Sequence, residues 1–197
     1  MISLNDLRKF KAEGRKFSCL TCYDASMAKA MELAEIDTIL IGDSLGMAIQ
    51  GRDSTLPVTV EDMAYHTVAV RRGNQHALIM TDLPFMSYAT LSDALQSSKV
   101  VMQAGAQMVK VEGGAWLAET VQVLTRNGIP VCVHLGLTPQ SVHVFGGYKL
   151  QARTREAADQ LIADCQAVVD AGAAVLLLEC VPAQLGKEIS ELFPQVP

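Results

Sequence analysis

The sequence predicts an α/β protein built from serial strand–helix units, and three observations support this fold class. Short runs dense in Val, Ile and Leu alternate with longer amphipathic stretches. These runs are apolar on both faces, as parallel strands covered on both sides should be. A layout of helix end, Gly, strand and terminal Glu occurs twice, at 104–112 and 171–179. Serial units form a (β/α) barrel or a doubly wound sheet, and the absence of G-x-G-x-x-G after the first strand favours the barrel.

The individual elements follow from local signals. Strands are predicted at 17–23, 38–41, 77–81, 108–111, 130–134 and 174–178, and an extra N-terminal helix is predicted at 3–11. The segments TVED at 59–62 and TLSD at 90–93 resemble capping boxes with Asp in place of Glu. Gly105, Gly128 and Gly172 each fall where a helix should stop, at the left-handed position after its last turn.

Composition limits the classes of protein to consider. A chain of 197 residues predicts a single domain with a sizeable core. The net charge of −5 argues against nucleic acid as a partner, since phosphate binding needs a basic surface. No apolar run is long enough to span a membrane, and the N-terminus lacks the apolar stretch of a signal peptide. We therefore expect a cytoplasmic protein.

The five cysteines are interpreted as reduced, structural residues. An odd number without a secretion signal suggests free thiols. Cys19 and Cys22 have C-x-x-C spacing, but they lie in a predicted strand, where residues three apart point to opposite faces. No second Cys or Cys/His pair is available to complete a zinc site.

Acidic residues recur where the predicted strands end. Five of the six strands end in a carboxylate, and these are Asp24, Asp43, Asp82, Glu112 and Glu179, while the remaining strand ends at His134. Barrel active sites lie at the carboxyl ends of the strands, so these side chains should converge. A single acid at one strand end would be a helix cap, which is the interpretation favoured for Asp24 beside Ser26. Recurrence at five ends argues against capping alone.

Converging carboxylates repel one another unless a cation is present. Mg²⁺ fits this prediction, because it prefers oxygen ligands and keeps water and substrate oxygens in its shell. Lys110 lies two residues before Glu112, on the same strand face, and could add a fixed positive charge. In this company His134 is a plausible hydrogen-bond donor to a developing oxyanion.

The letters G-D-S-L at 42–45 raise an alternative in which Ser44 is the nucleophile of an esterase. Such a serine needs a histidine to activate it and an acid to orient that histidine. Esterases of that family carry the serine after the first strand and a D-x-x-H near the C-terminus. Here the serine follows the second strand, no D-x-x-H is present in the C-terminal third, and we expect no esterase.

The chain closely resembles the ketopantoate hydroxymethyltransferase family along essentially its whole length. The resemblance rests on the segments LTCYD, IGDSLGM, QGRDSTLPVTVEDMAYHTVAVRRG, DLPFMSYAT, AGAQMVKVEGG, VCVHLGLTPQSV, FGGYK and LLLECVP. It implies a (β/α)8 TIM-type barrel, usually assembled as a homo-oligomer of ten subunits. These segments cover about six of its eight βα units, so we expect the last two units to be missing from these 197 residues.

The resemblance also implies a role for each candidate residue. Asp43 and Asp82 would bind Mg²⁺ directly, and Glu112 would act on it mainly through a water. Ser44, Lys110 and His134, together with the two aspartates, would bind the substrate 3-methyl-2-oxobutanoate. Glu179 would be the general base, and 5,10-methylenetetrahydrofolate would be the co-substrate.

Two alternatives from other classes stay open at this point. One is a C–C or C–P bond enzyme of the isocitrate lyase and phosphoenolpyruvate mutase superfamily, although the K-K-C-G-H loop typical of those enzymes is absent. The other is a non-catalytic remnant that only binds or assembles.

Overall fold

The computed structural model describes residues 1–197, which divide into two compact units, Met1–Lys110 and Val111–Pro197. Strands and helices alternate along both units, and every strand pair described below is parallel. The predicted α/β class is therefore confirmed. The organisation as a single domain stays a prediction.

The first unit is a parallel sheet with its helices. Strand β1 pairs with β2, β2 with β3, and β3 with β4, whose last two residues belong to the second unit. The elements are α1 Leu4–Ala12, β1 Cys19–Thr21, α2 Ala25–Leu33, β2 Thr38–Ile41, α3 Leu45–Ala48, α4 Val60–Gly73, β3 Leu78–Asp82, α5 Leu91–Gln103 and β4 Met108–Glu112. In the register between β3 and β4, Asp82 lies opposite Lys110.

The second unit continues from the end of β4. Strands β5 and β6 pair in parallel, with Gly136 opposite Glu179, and the N–H of Gly113 donates to the carbonyl of His134. The elements are a 3₁₀ turn Ala115–Leu117, α6 Ala118–Arg126, β5 Val131–Gly136, a 3₁₀ turn Pro139–Ser141, α7 Val142–Phe145, α8 Arg155–Asp170, β6 Val175–Glu179 and α9 Ala183–Leu192.

The local signals in the sequence account well for these boundaries. All six predicted strands and the N-terminal helix are present, with ends shifted by a residue or two and β1 reduced to three residues. Both predicted capping boxes form. The side chains of Thr59 and Thr90 accept from the backbone N–H groups of Asp62 and Asp93, and the carboxylates of these aspartates accept from the backbone N–H groups of the two threonines. The three predicted glycines follow α5, α6 and α8 with positive φ. The longest helix, α8, has 16 residues, and no helix could cross a bilayer.

The cysteines are free thiols, as predicted. Cys19 in β1 is exposed, and Cys22, one residue after the strand, is buried. Burial raises the pKa of the Cys22 thiol, and it raises the pKa of Cys165 to about 12. Because the thiolate is the reactive form, these buried thiols are inert structural residues.

Asn74 connects α2, α4 and the start of β3. Its side chain is fully buried; Nδ2 donates to the carbonyl of Ala28 at 3.0 Å, and Oδ1 accepts from the N–H groups of His76 at 2.9 Å and Ala77 at 2.8 Å. Asn74 therefore fixes the entry into β3, the strand that ends in Asp82.

We expect Asn74→Ala to lower the free energy of unfolding by about 3 kcal/mol, because it leaves buried backbone groups without partners. Urea denaturation would measure this change. Asn127→Ala is the matched control, since Asn127 ends α6 and donates to the carbonyl of Val123 at an exposed position. The control should lose less than about 1 kcal/mol, and equal losses in the two variants would contradict the role given to Asn74.

Candidate active site

Three of the predicted residues form one buried group in the first unit, which we call the aspartate–lysine cluster: Asp43, Asp82 and Lys110. Lys110 Nζ lies 3.0 Å from Asp82 Oδ1, and the two side chains are 3% and 4% exposed. The backbone N–H of Asp43 donates to the other oxygen, Asp82 Oδ2, at 3.0 Å. The strand register places the lysine directly across from Asp82. A fixed positive charge therefore sits against a buried carboxylate.

The turn after β2 is packed tightly enough to require glycine at its first position. A Cβ on Gly42 would lie 2.8 Å from Ser44 Oγ and 3.6 Å from Asp82 Oδ2. The carbonyl of Asp43 then accepts from the N–H of Gly46, which starts the short helix α3. This packing holds Asp43 and Ser44 beside the end of β3.

Ser44 is fixed by a residue that the sequence analysis did not single out, Tyr23. The Tyr23 hydroxyl and Ser44 Oγ are 2.7 Å apart, and the carbonyl of Tyr23 lies 2.7 Å from His66 Nδ1. Tyr23 follows β1, so its place at a strand end was the signal available in the sequence. The partner of Ser44 is thus a tyrosine and not a histidine, which agrees with the prediction of no esterase.

Three more of the predicted residues form a second group in the second unit, the glutamate–histidine cluster: Glu112, His134 and Glu179. His134 Nδ1 lies 3.2 Å from Glu112 Oε1, and His134 Nε2 lies 3.2 Å from Glu179 Oε2. A neutral imidazole donates through one nitrogen, whereas an imidazolium donates through both. The Nδ1–Glu112 pair has the geometry of a hydrogen bond, and Nε2 lies within ion-pair distance of Glu179.

Backbone contacts position the two glutamates. The N–H of Gln140 donates to Glu112 Oε2 at 3.0 Å, so each oxygen of Glu112 has a partner. The N–H of Leu137 donates to the carbonyl of Glu179 at 2.9 Å. Gly136 has φ +87°, and a Cβ there would lie 2.3 Å from that carbonyl. Glycine thus allows the end of β5 to hold the backbone of Glu179. Gln140 acts through its backbone, so no side-chain pattern in the sequence pointed to it.

One strand-end acid, Asp24, lies outside the two clusters. Asp24 accepts from the N–H of Met27 at 2.8 Å and caps α2, which confirms the interpretation of this residue as a cap. The remaining acids belong to the two clusters. His66 lies on α4 and His143 on α7.

The donor set of the aspartate–lysine cluster fits a hard divalent cation. Mg²⁺ is held by one or two carboxylates and completes its shell with water and substrate oxygens. Asp43 and Asp82, both 3% exposed, supply two such carboxylates at neighbouring strand ends. No group of three or more His, Cys, Asp or Glu side chains in residues 1–197 has the arrangement of a metal site. Glu112 as a metal ligand stays a prediction.

Comparison with known proteins identifies the family. The model of the ketopantoate hydroxymethyltransferase family matches residues 1–197. The chain belongs to this family. It is 92% identical over 197 residues to the 3-methyl-2-oxobutanoate hydroxymethyltransferase of Acinetobacter baumannii, covering 100% of this chain and 73% of that protein. The enzyme of the same name from Psychrobacter sp. is 64% identical over 191 residues, covering 97% and 71%.

Among solved structures, this ketopantoate hydroxymethyltransferase family member resembles enzymes of another activity. A 2,3-dimethylmalate lyase of the phosphoenolpyruvate mutase/isocitrate lyase superfamily matches with a TM-score of 0.72 at 16% identity, over 100% of this chain and 70% of that chain. A phosphonopyruvate hydrolase solved with oxalate and Mg²⁺ matches with a TM-score of 0.69 at 14% identity, over 91% and 63%. At these identities the likeness concerns the fold, and a TIM-type architecture agrees with it.

Lys110→Met should lower the free energy of unfolding by about 3–5 kcal/mol, because it leaves the buried carboxylate of Asp82 without its cationic partner. Denaturant unfolding in metal-free buffer would measure this. Lys9→Met is the control, since Lys9 pairs with Glu13 at 3.9 Å at an exposed position, and it should cost less than about 1 kcal/mol. The double variant Asp82→Asn, Lys110→Met should recover most of the loss. A double variant as unstable as Lys110→Met would contradict the pairing.

Proposed function

We propose that the chain transfers a hydroxymethyl group from 5,10-methylenetetrahydrofolate to 3-methyl-2-oxobutanoate, giving 2-dehydropantoate for pantothenate synthesis. The observation that carries the proposal is the buried aspartate–lysine cluster, in a chain that belongs to the ketopantoate hydroxymethyltransferase family. The relatives are named as hydroxymethyltransferases acting on this oxo acid. The enzyme class, a one-carbon transferase, follows from those relatives.

In this proposal the aspartate–lysine cluster binds the oxo acid and its metal. Asp43 and Asp82 would hold Mg²⁺, and the bound ion would supply Lewis acidity toward the oxo acid. Lys110 provides a fixed positive charge for the oxygens of the substrate. Ser44, held by the Tyr23 hydroxyl at 2.7 Å, donates a hydrogen bond to the substrate carboxylate. Support for these roles comes from the burial of the cluster, because charge interactions are stronger where water is excluded.

The glutamate–histidine cluster has the task of proton transfer. Glu179 takes the proton from C3 of the oxo acid on Oε1, while Oε2 keeps its contact with His134 Nε2. The side chain of Glu179 is 38% exposed, which supports access to a substrate carbon. His134 positions Glu179 through Nε2, and Glu112 fixes the ring through Nδ1 at 3.2 Å, so both ring nitrogens are used within the cluster. The hydrogen bond from His134 to the substrate stays a prediction.

The remaining chemistry concerns the one-carbon unit. Once the C3–H bond is broken, C3 forms a new bond to the methylene carbon of the folate. The two bonds from the methylene carbon to the folate nitrogens break, and a water supplies the hydroxyl oxygen. Tetrahydrofolate leaves with one proton from that water and the proton taken from C3 on its two nitrogens. The folate is proposed from the family resemblance, and Glu112 is proposed to reach the metal through a water.

The same proposal covers the complete fold, the oligomeric state and the cellular compartment. We propose a (β/α)8 barrel, which is supported by the parallel pairing of the strands and by the family to which the chain belongs. A homo-oligomer, of ten subunits by the resemblance, is supported by the large exposed side chains of Leu33 and Tyr65. The five free thiols favour the reducing cytoplasm.

Metal binding should depend on both aspartates. Asp43→Asn and Asp82→Asn should each weaken binding of Mn²⁺, used as a paramagnetic stand-in for Mg²⁺, by about 100-fold or more, since a charged oxygen donor is lost. Electron paramagnetic resonance of free Mn²⁺ would measure this. Asp53→Asn, at an exposed position outside the cluster, should bind as the parent does. Full binding by either cluster variant would overturn the metal assignment.

The proton-transfer role is tested by exchange at C3 of 3-methyl-2-oxobutanoate in D₂O, followed by NMR with Mg²⁺ and without folate. We expect Mg²⁺-dependent exchange in the parent and a loss of about 10²–10⁴-fold in Glu179→Gln, the range for a general base. Glu191→Gln, an exposed residue of α9 paired with Lys187, should exchange normally. Exchange that persists in Glu179→Gln would reject Glu179 as the base, and Mn²⁺ binding without exchange in the parent would favour a non-catalytic remnant.

A further inference from the structure

The second unit contains a cavity of about 480 Å³ that none of the proposed roles uses. Its walls come from the loop after β4, the end of β5, Phe145 of α7 and the first half of α8. Glu112 lines it as well, so the cavity reaches the glutamate–histidine cluster. Its volume falls in the range of small-molecule pockets, about 300–1,000 Å³.

Gly113 and Gly114 form part of the cavity wall, where they lie against the side chains of Trp116 and Asp164. A Cβ on Gly113 would lie 2.6 Å from Cζ2 of the Trp116 indole, and a Cβ on Gly114 would lie 2.7 Å from Cγ of Asp164. The bare backbone of the loop therefore lets the indole and the carboxylate sit directly against it. Trp116 is nonetheless 66% exposed, so a large aromatic surface faces open space at the cavity.

Asp164 has acceptor capacity that the protein does not use. Its Oδ1 accepts from the N–H of Ala115 at 3.0 Å and from Gln160 Nε2 at 3.2 Å. Both bonds end on the same oxygen, and Oδ2 receives none from the protein. A half-buried carboxylate oxygen beside two aromatic side chains, Trp116 and Phe145, suits a flat heterocycle that has adjacent N–H donors at one edge.

We propose that this cavity binds the pterin ring of the folate co-substrate. Trp116 and Phe145 contact the ring, and Asp164 accepts hydrogen bonds from its 2-amino group and N3–H. This inference rests on the proposed function, which calls for a pterin. It goes further by assigning the binding place to a cavity of the second unit that Glu112 also lines.

The binding test uses 6-methyltetrahydropterin, which is the ring without the rest of folate. Trp116 is the single tryptophan of the chain, so its fluorescence reports on occupation of the cavity. We expect saturable quenching in the parent, corrected for absorbance of the pterin. Asp164→Asn should weaken binding by about tenfold or more, because a charged acceptor is lost while an oxygen for Ala115 is kept.

The matched control is Asp170→Asn on the same helix. Asp170 also accepts from a glutamine four residues earlier, Gln166, but it lies outside this cavity. The control should bind the pterin as the parent does. A second variant, Trp116→Leu, removes the aromatic contact and should weaken binding about tenfold by calorimetry. Thermal unfolding of all variants identifies any that fail to fold.

Failure of this inference can be told from failure of the proposed function. Mg²⁺-dependent C3 exchange without folate should be normal in Asp164→Asn and Trp116→Leu, with the loss confined to pterin binding and hydroxymethyl transfer. Equal pterin binding by the parent, Asp164→Asn and Trp116→Leu would overturn the cavity assignment while leaving the exchange reaction standing. No exchange in the parent would instead overturn the proposed function, and pterin binding that depends on Asp164 would still support the cavity.

Discussion

Burying charge is the constraint on which both clusters depend. Moving a carboxylate out of water costs several kcal/mol, and that cost is offset only when a partner of opposite charge or good donors are in place. Asp82 is 4% exposed, and Lys110 meets it from the neighbouring strand. The register of β3 and β4 is therefore an electrostatic requirement, since a shift by one residue would turn Lys110 to the other face of the sheet.

The two clusters offset the cost of burying carboxylates with different basic side chains, Lys110 in one and His134 in the other. Lysine carries a charge that stays in place near neutral pH, whereas histidine gains and loses its proton in that range. The pair formed by Asp82 and Lys110 is thus suited to holding ligands of fixed charge. His134, placed between Glu112 and Glu179 at 3.2 Å from each, is suited to a reaction in which a proton moves. The choice of basic residue thus agrees with the proposal that one cluster binds the substrate and the other transfers the proton.

Features that depend on residues close together in the sequence could be predicted, whereas contacts between residues far apart in the sequence could not. Strands, capping boxes and glycine stops follow from neighbours a few residues apart, and these were predicted closely. The strand-end acids could also be predicted, because parallel strands carry their carboxyl ends to the same edge. Contacts formed by loops that meet across the fold left no local pattern. Tyr23 to Ser44 spans 21 residues, Glu112 to Gln140 spans 28, and Ala115 to Asp164 spans 49.

The three side chains of the glutamate–histidine cluster differ in how exposed they are. The side chains of Glu112 and His134 are 2% and 3% exposed, whereas that of Glu179 is 38% exposed. A residue that orients another gains from burial, because a dry surrounding strengthens its hydrogen bonds. A base must instead reach a substrate carbon and later release its proton. The order from Glu112 through His134 to Glu179 therefore runs from buried support to an exposed carboxylate, and this gradient supports the proposal that Glu179 is the base.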